Sequence, residues 1–100
     1  MKRIEITAEW ILGTFPISWS ADGNGNMSLL TESYRDSNWI ELALDSMGVY
    51  YERYYLGEND IETDEVWFEF KLEAIKDECP NLYKEWLYMD LRNSSYNRKN

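Results

Sequence analysis

The chain has 100 residues, of which 44% are hydrophobic and 16% aromatic, and a formal net charge of −9. That length suits one core and is too short for two, because single domains cluster near about 100–150 residues. One cysteine excludes an intramolecular disulfide, and the absence of histidine removes the commonest general base and every Ser-His or Cys-His nucleophile arrangement.

The start, "MKRIEITAEW", has two basic residues but runs into an alternating pattern rather than the apolar stretch of a leader. No segment approaches the roughly 20 apolar residues of a membrane span. With Cys79 alone giving no argument for an oxidising compartment, a soluble cytoplasmic protein is expected.

From Ile4 to Leu12, Ile4, Ile6, Ala8, Trp10 and Leu12 alternate with Glu5, Thr7 and Glu9, which predicts a half-buried strand, with a short helix from Thr7 as the competing reading. Alternation resumes at Phe15, Ile17 and Trp19, breaks at "DGNGN" and returns over Met27 to Thr31. This is a hairpin pattern, and Asn24-Gly25 suits the positive-φ positions of a type I′ turn.

Asp22, Asn24 and Asn26 also stand where an EF-hand loop begins. Such a loop needs glycine at its sixth position and a bidentate glutamate at its twelfth. Those positions hold Met27 and Ser33, with Glu32 one place early, so a polar hairpin turn without metal is expected.

"SNWIELALDSMG" changes period: Trp39, Ile40, Ala43, Leu44 and Met47 form one helical stripe, predicting a helix over 38–47, capped by Asn38 with Glu41 and ended by Gly48. Two strands follow, "VYYERYYL" and "EVWFEFKL", separated by "GENDIETD". In the second, Val66, Phe68, Phe70 and Leu72 face the core, and Glu65, Trp67, Glu69 and Lys71 face away.

The last element spans Glu73 to Arg92 in two pieces around Pro80, which a helix tolerates only in its first turn. Leu82, Tyr83, Trp86, Leu87 and Leu91 make its apolar stripe. The order β-β-β-α-β-β-α predicts an α+β fold, an antiparallel sheet of about five strands with two helices packed on one face. Residues 1–92 form the single domain and 93–100 a polar, frayed tail.

The charge is concentrated. Asp36, Glu41, Asp45, Glu52, Glu58, Asp60, Glu62, Asp64, Glu65 and Glu69 fall between residues 36 and 70 against one base, Arg53, so this segment carries the whole net charge of −9. Glu58, Asp60, Glu62 and Asp64 recur at every second residue, about 6.5 Å apart on one side of an extended strand. Glu41 and Asp45 are helix neighbours at about 6 Å, expected on the outward side.

These spacings are comparable with successive phosphates of a nucleic-acid strand. Tyr54 and Tyr55 lie beside them, and tyrosine offers large contact area with few rotors. The expected partner-binding set is therefore Glu41, Asp45, Tyr54, Tyr55, Glu58, Asp60, Glu62, Asp64 and Glu65. The partner is a protein with a basic surface, a nuclease or other nucleic-acid enzyme. The plain alternative is that these acids are solvated and confer only solubility.

In size, charge and lack of a catalytic motif the chain resembles, as a class, the DNA-mimic inhibitors of restriction and CRISPR systems encoded by phages and mobile elements. The resemblance implies a non-catalytic protein without cofactor or metal, acting by steric and electrostatic occlusion. An immunity-type protein neutralising a basic toxin needs the same acidic face. A carboxylate-based or metal-dependent enzyme, drawing pairs from the same acids, is the reading from another class. Direct nucleic-acid binding on a platform of Trp67, Phe68, Phe70 and the tyrosines is disfavoured, because this region repels phosphates. Exposed edge tyrosines are compatible with a dimer, and sequence leaves oligomeric state open.

Overall fold

Thr7 decides the first segment. Its hydroxyl accepts a hydrogen bond from the amide of Trp10 at 3.1 Å and caps helix α1, Ala8–Thr14. Ala8, Ile11, Leu12 and Phe15 then share one stripe, with Ile11 and Leu12 buried. The alternation read as a strand is thus a helix, and among the described residues the fold has four strands and three α-helices rather than about five and two. The α+β class and the antiparallel sheet stand. The computed structural model describes residues 6–55 and 65–97, with side chains described to residue 94.

Strands β1 (Ser18–Ala21) and β2 (Asn26–Thr31) form the expected hairpin. Its positive-φ residues are Gly23 and Gly25, at 84° and 85°, not the adjacent Asn24-Gly25 of a two-residue turn.

Helix α2 covers Tyr34–Ser46, starting ahead of the expected Asn38 because Ser33 caps it, its hydroxyl accepting from the Asp36 amide at 3.2 Å. Gly48 ends it at φ 69°, its amide reaching Asp45 O while the Val49 amide reaches Leu44 O, a Schellman closure.

Strands β3 (Tyr51–Tyr55) and β4 (Val66–Lys71) complete a sheet of order β1-β2-β4-β3, antiparallel throughout. Met27, Leu29 and Thr31 of β2 and Val66, Phe68 and Phe70 of β4 point to one side, and all are buried with Ile11, Leu12, Ile40, Ala43, Leu44 and Trp86. The helices therefore cover one face and leave the other open.

After β4, a 3-10 helix (Leu72–Ile75) leads to α3, Pro80–Asn97, with Pro80 at its first position as expected. The amides of Asn81 and Leu82, unpaired within the helix, donate to Glu9 Oε2 at 2.8 and 2.9 Å, so α1 caps α3 across 72 residues. Trp86 is 1% exposed and packs on Phe70 at 6.5 Å between ring centroids. Leu91, expected in the buried stripe, is 57% exposed. The helix continues past Arg92 to Asn97, into the segment expected as a tail. Among the described residues no helix is long and apolar enough to cross a membrane.

Candidate functional site

The open sheet face is built by the residues that alternate with the core. Registers align Ser20, Ser28, Glu69 and Glu52 in one row across the strands, and Ser18, Leu30, Trp67 and Tyr54 in the next. Glu52 and Glu69 stand directly opposite each other, where Cβ atoms are about 4.5–5.5 Å apart and like charges destabilise the pairing. The indole of Trp67 donates to Glu69 Oε2 at 3.1 Å, fixing that carboxylate beside the aromatic row. Lost hydration first, then the charges of Glu52 and Glu69, hold the Tyr54 hydroxyl above its ordinary range. A pocket of about 300 Å³ opens here, with Asp22, Tyr50, Glu52, Glu69 and Lys71 in its wall.

Across β3 the other side is different. Tyr51 donates its hydroxyl to Glu41 Oε1 at 3.0 Å, and Arg53 Nη1 pairs with Glu41 Oε2. The Arg53 guanidinium also sits 5.0 Å from the centroid of the Tyr55 ring. Burial first, then hydrogen bonds to Glu41 and Asp45, push the Tyr51 hydroxyl far above its usual range. Glu41 therefore turns to the sheet and matches Arg53 instead of pointing outward. Asp45 stays exposed.

The structure separates the expected site residues. Tyr54 lies on the open face, while Tyr55 lies on the helix side against Tyr34, with ring centroids 5.9 Å apart. Glu65 is half-buried just before β4. Glu58, Asp60, Glu62 and Asp64 lie outside the described residues. The expected set omits Glu52, Glu69 and Trp67. For Trp67 and Glu69 the signal was the period-two alternation of "EVWFEFKL", which already placed both on the outward face.

The Asp22–Asn26 turn is closed by carboxylates. Asp22 Oδ1 accepts from the amides of Asn24 and Asn26 at 2.7 and 3.1 Å, and Oδ2 from Asn26 Nδ2 at 2.6 Å. Partial burial opposes ionisation of Asp22, but these bonds outweigh it and hold the carboxyl below its usual value. The Asp22 carboxylate is thus engaged in building the turn, and among the described residues no three His, Cys, Asp or Glu side chains gather as a metal would need. A larger pocket, about 640 Å³, lies between this turn and α3, where the buried Asp90 carboxylate is held by the amides of Gly23 and Gly25.

The chain matches no protein-family model, no curated protein and no solved structure.

Proposed function

We propose that the chain is a small acidic binding protein that inhibits a nucleic-acid-handling enzyme, without turnover, by covering its cationic groove. What supports this reading is Glu52 set against Glu69 on a sheet face that no described element covers. A directly opposed like-charged pair destabilises a sheet, a cost that folding alone gives no reason to keep. A basic partner would turn that repulsion into attraction, and Tyr54 and Trp67 in the adjoining row supply apolar contact area. The acids at 58–64 extend the same negative field in sequence, which also speeds encounter with a cationic surface.

The test compares the parent with a Glu52→Gln, Glu69→Gln double variant. Each is immobilised and exposed to lysate, retained nucleases are identified, and their inhibition is assayed with and without duplex DNA as competitor. Salt-sensitive inhibition that the variant loses and DNA displaces is the expected result. Retention without inhibition, or equal behaviour of both proteins, overturns the reading.

The pocket at Asp22, Glu52 and Glu69 favours a second reading, a carboxylate hydrolase. Turnover of a glycoside by the parent, abolished in either single variant, would establish it over occlusion.

A further inference from the structure

We infer that the outer edge of β3 receives an extended segment of the partner as an added strand, with a basic residue opposite Glu52 and an apolar residue opposite Tyr54. This rests on the proposal that the chain binds a basic protein surface. Strand β3 ends the sheet and pairs only with β4, so among the described residues one row of its N–H and C=O groups has no strand partner. The opposite edge is tied to α3: Asn93 Nδ2 donates to Ala21 O at 2.6 Å and the Trp19 indole to Met89 Sδ at 3.2 Å.

Exposed edges are ordinarily blunted by proline, a bulge, charged side chains or an inward-pointing charge. Strand β3 has no proline and no bulge, its inward charge, Arg53, is matched by Glu41, and its outward charge, Glu52, repels an acidic strand but not a basic one. Instead it presents Tyr54 and Tyr55, 43% and 59% exposed.

The register supplies the chemistry of the guest. A residue opposite Glu52 extends the row that holds Glu69, and the two carboxylates call for lysine or arginine there. A residue opposite Tyr54 extends the row holding Trp67 and Leu30, which calls for an apolar or aromatic side chain. The residue between them faces Arg53, whose charge Glu41 already matches, so it is neutral. Main-chain bonds then give affinity and the alternate side chains give selectivity. A second copy of this chain is a poor guest, because each copy carries −9.

The probe is a synthetic peptide one residue longer than β3 at each end, lysine and valine alternating with threonines. It is titrated into isotope-labelled protein and followed through backbone amide shifts and hydrogen exchange. The expected result is shifts centred on Tyr51–Tyr55 and slowed exchange of outward β3 amides. N-methylation of the peptide amides facing β3 should weaken binding about tenfold or more, since it removes the ladder and leaves the charge. Glu52→Gln should weaken it several-fold. Equal binding of the methylated peptide, shifts confined to other acidic residues, or no binding overturns the inference. If the peptide fails while nuclease inhibition by the parent persists, strand addition falls and groove covering stands. If inhibition fails while the peptide forms its ladder, the reverse holds.

Discussion

The carboxylate of Asp90 in α3 accepts a hydrogen bond from the amide of Gly23 at 2.8 Å, joining the last helix to the first hairpin turn across 67 residues. The Gly25 amide donates to the same group at 3.2 and 3.1 Å. Asp90 is 6% exposed, so removing it strands two shielded donors. Each stranded donor costs about 1–3 kcal/mol, and Asp90→Ala should therefore lower unfolding free energy by about 2–6 kcal/mol. Asp90→Asn keeps an acceptor and should lose less. Urea unfolding of the three proteins decides this, and an alanine variant as stable as the parent contradicts it.

The two glycines of that turn differ in what lies over them. Both have positive φ, but a Cβ on Gly23 would meet Ser94 N at 2.8 Å and Asn93 C at 3.0 Å, whereas Gly25 has open space. Gly25→Ala should cost about 1 kcal/mol, the backbone penalty alone. Gly23→Ala should cost distinctly more, because α3 itself must move. Thermal melts of the two variants measure the difference, and equal losses would mean that α3 is not seated on the turn.

What the residues announce in advance is local chemistry. Gly48 ends α2, Pro80 starts α3, and Val66, Phe68 and Phe70 alternate inward, because each feature depends on neighbours in the chain. The first segment misleads because Ala8 and Leu12 fit both periods, and a single cap, Thr7, selects the helix. Glu9, Glu41 and Asp90 were beyond reach for a different reason. Each carboxylate is committed to donors in another element, and no sequence pattern marks an acid whose partners lie 10 to 73 residues away. The acidic site was legible as a charge-rich segment. Which acids share a face was not, since that depends on the pairing of β3 with β4.

Cys79 is fully buried against Met47, with the sulfurs 3.7 Å apart. Burial first, then the charges of Glu9 and Glu78, push its thiol from 9.0 up to about 11. The folded state thus holds this proton more tightly than the unfolded chain does. Its contribution to stability is complete below the unfolded value near 9.0 and is lost as pH climbs through about 11. Melting temperature should fall across that window, and fall less steeply in Cys79→Ala. Part of the slope should remain, because the Tyr51 hydroxyl is also held above its ordinary value. At neutral pH the native thiol should resist iodoacetamide until urea is added. Identical alkaline slopes in parent and variant would contradict this assignment.

Glu41 and Glu52 both flank β3, yet their charges have different fates. Glu41 is matched by Arg53 and accepts from Tyr51, while Glu52 faces Glu69 on the open side. Glu41→Gln should therefore act on folding. It leaves Arg53, whose buried Nε has no hydrogen-bond partner among the described residues, short of its counter-charge, at a cost of about 1 kcal/mol for a half-buried pair. Partner capture should change little once the variant is folded. Glu52→Gln should do the opposite: it relieves repulsion across β3 and β4, leaves stability equal or slightly higher, and weakens capture with a reduced dependence on salt. Unfolding free energy and retention at two salt concentrations, measured on both variants, separate the two roles. Were Glu41→Gln to lose the partner while Glu52→Gln kept it, the binding face would be the helix side of β3.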